Sequence, residues 1–180
     1  MPSRKPTGVA AILAGALMFA GHGGELVFGN DVPDGVYVSF VAAGFAALAV
    51  ALWGMRELLV GTRVGRIGIR LALAGVAFLG LFAVHVFVEL IRTSDIPDNF
   101  VLFLIGFLLI LVGQLLFARD LRPELGRGWV LPILAVAGLV MALFLNSFGL
   151  HDIGLFVFEA AWVALGIAVL RGKRQGKPAA

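Results

Sequence analysis

Six uninterrupted apolar stretches divide this chain, covering approximately residues 9–28, 36–55, 69–91, 100–118, 129–148 and 153–170. Each approaches the roughly 20 helical residues needed to cross a hydrocarbon core about 30 Å thick, the sixth being the shortest. The stretches are continuously apolar and rich in Leu, Ala, Val and Gly, whereas strands of a membrane barrel alternate polar with apolar positions over about ten residues. A composition that is 61% hydrophobic and 14% charged also lies outside the range of soluble domains. The expected fold class is all-α: a polytopic membrane protein with six transmembrane helices, forming a single domain over residues 1–180.

The charges between the stretches set an orientation. Of the 14 basic residues, 13 fall at one set of span ends: Arg4 and Lys5; Arg56, Arg63, Arg66 and Arg70; Arg119, Arg122 and Arg127; and Arg171, Lys173, Arg174 and Lys177. The other turns carry Asp31 and Asp34, Asp95 and Asp98, and Asp152, with Arg92 the one basic residue beside them. Basic residues next to span ends resist translocation, so both termini and the loops holding Arg63 and Arg122 are expected on the cytoplasmic side of the cell membrane. The first twenty residues have the basic start and apolar middle of a signal peptide, but apolar character runs on through Leu26, Val27 and Phe28, which favours an uncleaved first helix. Although the pI is about 10.0, the basic residues are spread over short loops rather than gathered on one soluble face. The expected partner is therefore a lipid bilayer and not nucleic acid.

Asp31-Val32-Pro33-Asp34 and Asp95-Ile96-Pro97-Asp98 are two copies of Asp-x-Pro-Asp set 64 residues apart. Around them, His22 and His85 are 63 residues apart, as are Arg56-Glu57-Leu58 and Arg119-Asp120-Leu121. A looser third copy has Asn146 near the histidine position, His151-Asp152-Ile153 in the outer turn and Arg171 at its close. These spacings predict three consecutive helical-hairpin repeats at about residues 7–62, 63–126 and 127–174. Each repeat crosses the membrane an even number of times, so the copies share one orientation, as parallel repeats do in transporters. Topology rules alone impose part of this pattern, and the shared Asp-x-Pro-Asp is what favours duplication. Within that turn, Pro33 and Asp34 suit a helix start, because a missing N–H costs nothing there and an acidic side chain faces the positive end of the helix dipole.

Ionisable groups inside membrane helices cost several kcal/mol and mark candidate sites. Here they are His22, Glu25, His85, Glu89 and Glu159. His22 and Glu25 are three residues apart and His85 and Glu89 four, so each pair shares a helix face. Counting about 1.5 Å per residue, His22, His85 and Glu159 fall roughly 9 Å below the outer boundary. If the hairpins surround a common axis, the five groups form an outward-opening cluster able to bind a divalent metal or relay protons. A haem ligated by His22 and His85 is an alternative. The structural alternative is a polar network in which Glu89 bridges to His85 or Arg92.

The spans hold no lysine for a retinal Schiff base, and the chain has no cysteine, Walker loop or dinucleotide fingerprint, so a retinal pigment, ATP hydrolysis and hydride transfer are not expected. Ala10, Ala11, Ala14, Gly15 and Met18 on the first helix, and Gly44 and Ala47 to Ala51 on the second, mark helix contacts. Trp53 and Trp129 lie where inner-boundary anchors belong. In size and number of crossings the chain loosely resembles the substrate-binding components of energy-coupling-factor vitamin importers, from which its hairpin repetition departs. Three functional expectations follow. The first is a transporter, channel or metal-handling protein that uses the His/Glu cluster. The others are a noncatalytic subunit of a larger membrane complex or homo-oligomer, and a haem- or metal-dependent membrane redox protein.

Overall fold

The computed structural model describes residues 4–28, 33–58, 62–93, 100–145 and 151–172, with Glu25, Thr93, Phe100 and Leu145 described through their backbone only. Of these residues 96% are helical and none lies in a strand. Asp31, Asp95, Asp98, Asn146 and the tail lysines lie outside the described residues. The long helices are α1 (Arg4–Phe28), α2 (Asp34–Met55), α3 (Arg63–Thr93), α4 (Phe100–Ala118), α6 (Leu131–Leu145) and α7 (His151–Arg171). A linker of short turns joins α4 to α6: a 3-10 turn at Arg119–Leu121, the single α-turn α5 (Arg122–Leu125) and a second 3-10 turn at Gly126–Val130.

Among the described residues five stretches are long and apolar enough to cross a membrane: Arg4–Phe28, Asp34–Met55, Arg63–Arg92, Val101–Phe144 and His151–Arg171. The sequence shows six apolar runs, but helical backbone continues through the linker and joins the fourth and fifth into one path of 44 residues. That path is not a straight rod. Gly126 has φ +55°, a conformation that glycine adopts without a Cβ clash, and α4 packs against α6. With 15 residues, α6 taken alone is shorter than a full crossing requires.

The long helices close into a ring. α1 packs on α2 and α7, α2 on α3, α3 on α4, α4 on α6, and α6 on α7. Lipid tails are as apolar as the side chains they touch, so helices in a bilayer associate through close packing rather than through burial from water. The seams are accordingly lined with opposed small residues. A Cβ on Gly68 would lie 2.7 Å from the Gly113 carbonyl oxygen, and one on Gly113 would lie 2.6 Å from that of Gly68. Gly75 and Gly106 oppose each other along the same α3–α4 seam, Gly138 and Gly154 between α6 and α7, and Gly8 and Gly166 between α1 and α7. On α1 the small-residue steps seen in the sequence are fully inside, with Ala11 and Ala14 both at 0% exposure. Large apolar side chains such as Phe19, Leu81, Val84 and Phe144 face outward, as a lipid solvent allows. Trp53 also faces outward, with the Arg56 guanidinium 5.3 Å from its ring centroid.

One end of the ring collects the polar connections. Arg4, at the start of α1, pairs with Glu124 in α5, and Gly172, beyond α7, lies against the same Arg4 side chain. Thr62 accepts the Gly65 N–H at 3.1 Å, capping α3, while its hydroxyl donates to Asp120 in the linker. The starts of α1 and α3, the α4–α6 linker and the end of α7 therefore meet at one end of the bundle. His22 lies 18 residues further along α1, about 27 Å away at the helical rise.

Candidate functional site

All six long helices contribute to a chamber of about 330 Å³ within the ring. Its walls are mostly apolar: Phe45 from α2, Phe82 from α3, Phe103 and Phe107 from α4, Leu139 from α6 and Phe158 from α7. Phe82 and Phe103 lie 5.7 Å apart by ring centroids, and Phe103 and Phe107 6.0 Å apart, so α3 and α4 present a continuous aromatic wall. Polar groups enter from the end where α2 and α7 begin. They are His22, Tyr37, His151 and Glu159.

The centre of the site is a hydrogen bond between His22 Nδ1 and Glu159 Oε1, which links α1 to α7. Their side chains are 10% and 1% exposed. The close approach of the two helices explains the pairing, since a Cβ on Gly15 would lie 2.4 Å from the Glu159 carbonyl oxygen. The Tyr37 ring meets the imidazole edge-on at 5.6 Å. Glu159 Oε2 is buried with no hydrogen-bond partner among the described residues. An unpaired buried polar atom costs on the order of 1–3 kcal/mol, and more when charged. His151, at the mouth, pairs with Asp152 at 3.2 Å.

Of the five residues singled out by sequence, His22 and Glu159 come together and line the chamber. The Glu25 side chain lies outside the described residues. His85 is half-buried on α3 and is not among the chamber's lining residues, whereas Ala83 and Val86 are. Glu89 hydrogen-bonds Arg92 at 3.3 Å, the bridge anticipated by the structural alternative. His85 precedes Val86, which does line the chamber, and one residue rotates a helical side chain by about 100°.

Among the described residues no three His, Asp or Glu side chains form a group able to hold a metal ion. Four further polar groups were not among the candidate site residues read from the sequence. Tyr37 and His151 stand at helix starts, where polar residues are ordinary. Gln114, at 0% exposure with both amide atoms unpartnered, and the buried indole N–H of Trp162 lie inside apolar runs. A glutamine in a membrane helix was a signal available in the sequence.

No family model, no characterised protein and no solved structure matches the chain. The chamber and its polar pair are therefore the ground for a functional reading.

Proposed function

We propose that this chain is a small carrier of the cytoplasmic membrane, in which a solute enters the chamber and the His22–Glu159 pair exchanges protons as the solute binds and leaves. The carrying observation is Glu159, a lining residue of the apolar chamber whose buried carboxylate is bonded to His22 through one oxygen and has no partner on the other among the described residues. Ionisable groups retained inside membrane helices mark solute and proton pathways. A noncatalytic subunit would need neither a chamber nor an unsatisfied carboxylate lining it. In this reading the chain crosses six times as three hairpins, with both termini cytoplasmic and the chamber open to the outside. The contacts of Arg4 with Glu124 and of Thr62 with Asp120 support that topology, since they join segments expected on one face. The clustering of basic residues at those same ends supports it as well.

The test uses purified protein in liposomes that enclose a pH-sensitive dye and are challenged with a panel of small amphipathic solutes. Wild-type protein is expected to shift the internal pH when a transported solute is added, and Glu159→Gln is expected to abolish the shift while remaining folded. Equal responses from wild type and Glu159→Gln, or no solute-dependent response from either, would overturn the carrier reading.

A further inference from the structure

We infer that the chamber's solute is a small lipophilic amine, bound as its ammonium ion with the charged head at the Glu159 carboxyl group and the apolar body against the phenylalanine wall. This inference rests on the carrier reading and names its substrate class. The first argument is the chamber's charge. Its ionisable lining groups are Glu159, His22 and His151, and neither Lys nor Arg is among the lining residues. An anionic solute would find a carboxylate and no fixed cation. The second is hydrogen-bonding capacity. His22 Nδ1 occupies Glu159 Oε1, and Oε2 is left as a buried acceptor without a donor. A carboxylate oxygen can only accept, so the complementary group is an N–H or O–H donor, and a charged donor makes the stronger bond. The third is the wall. Phe82, Phe103, Phe107 and Phe158 surround the remaining space with rings, which suit an apolar body and attract a cation held near their faces. At about 330 Å³ the chamber lies at the small end of ligand sites, which limits the solute to roughly one ring with a short side arm.

Four probes that share one ring and differ in the head group separate these arguments: benzylamine, benzyl alcohol, toluene and benzoate. Binding of each to full-length wild-type protein is measured by calorimetry in detergent at neutral pH. Benzylamine is expected to bind at least about tenfold more tightly than toluene, with benzyl alcohol between them and benzoate weakest, since charge-assisted hydrogen bonds are roughly twice as strong as neutral ones. Glu159→Gln is expected to remove the advantage of benzylamine while leaving toluene unchanged. Equal binding of toluene and benzylamine to wild type, preferential binding of benzoate, or binding of none of the four would overturn the proposal without any variant being needed. Binding and transport fail separately. Benzylamine that binds with the stated preference but never moves a proton in liposomes contradicts the carrier reading. Proton-coupled movement of other solutes with no benzylamine binding contradicts the amine assignment alone.

Discussion

Gly154→Ala is expected to destabilise the protein severely, although it adds a single methyl group to a residue type that favours helices. A Cβ at this position would lie 2.2 Å from the Ala142 backbone nitrogen and 2.5 Å from the Gly138 carbonyl oxygen. Both obstacles are backbone, so no side-chain rotation relieves them and α6 must move away from α7. Overpacking of a well-filled core costs typically about 1–3 kcal/mol, and a backbone-to-backbone clash belongs at the upper end of that range. Gly80→Ala, in the interior of α3, supplies the control. A Cβ there meets nothing within 4 Å, and alanine is favoured over glycine in a helix by about 1 kcal/mol. Thermal unfolding followed by size-exclusion chromatography should show a large loss for Gly154→Ala and no loss, or a gain, for Gly80→Ala. Equal behaviour of the two variants would contradict the α6–α7 seam.

The second large effect concerns the chamber pair. His22→Leu is expected to lower stability by about 3 kcal/mol, because removing one member of a buried pair leaves the other without compensation. Glu159 is 1% exposed, and with His22 gone Oε1 loses its partner while Oε2 already has none among the described residues. The double variant His22→Leu/Glu159→Leu should recover most of that loss, since replacing a buried pair by apolar residues is often neutral or stabilising. Activity should part from stability: solute-linked proton movement is expected to be absent from the single and the double variant alike. A double variant that regained activity along with stability would show that the pair serves only to hold α1 against α7. The two substitutions must be measured as a full cycle, because residues in contact are not additive.

The helices were legible because lipid leaves few options. Continuous apolar runs of spanning length have no alternative to helix, and α4 coincides with its run, residues 100–118. α1, α2, α3 and α7 start before their runs, α3 at Arg63 and α7 at His151, since polar residues continue a helix into the headgroup region without penalty. The count of spans is less well determined by the same reasoning. Pro123, Gly126 and Gly128 break residues 119–130 into short turns, and these keep the fourth and fifth runs on one path that bends at Gly126. The site was legible in part. Intramembrane ionisable groups pointed to His22 and Glu159, but sequence spacing could not show which face of each helix turns inward. One residue was enough to leave His85 out of the chamber that the next residue, Val86, lines. The opposed glycines of the α3–α4 and α6–α7 seams escaped notice because a glycine in a membrane helix does not reveal its partner.

The measurement closest to the central claim asks whether Glu159 faces a space that small apolar molecules enter from within the membrane. Dicyclohexylcarbodiimide is an apolar reagent that modifies carboxyl groups in surroundings shielded from water, and the chain offers it 11 acidic residues. Membranes containing the full-length protein are treated with the reagent, and the modified peptide is identified by mass spectrometry. The expected result is preferential modification of Glu159, absent from a Glu159→Gln control and slowed in wild type by prior addition of benzylamine. Modification confined to Glu89 or to acidic residues of the outer turns, with Glu159 untouched in wild-type protein, would contradict the chamber as the working centre of the molecule.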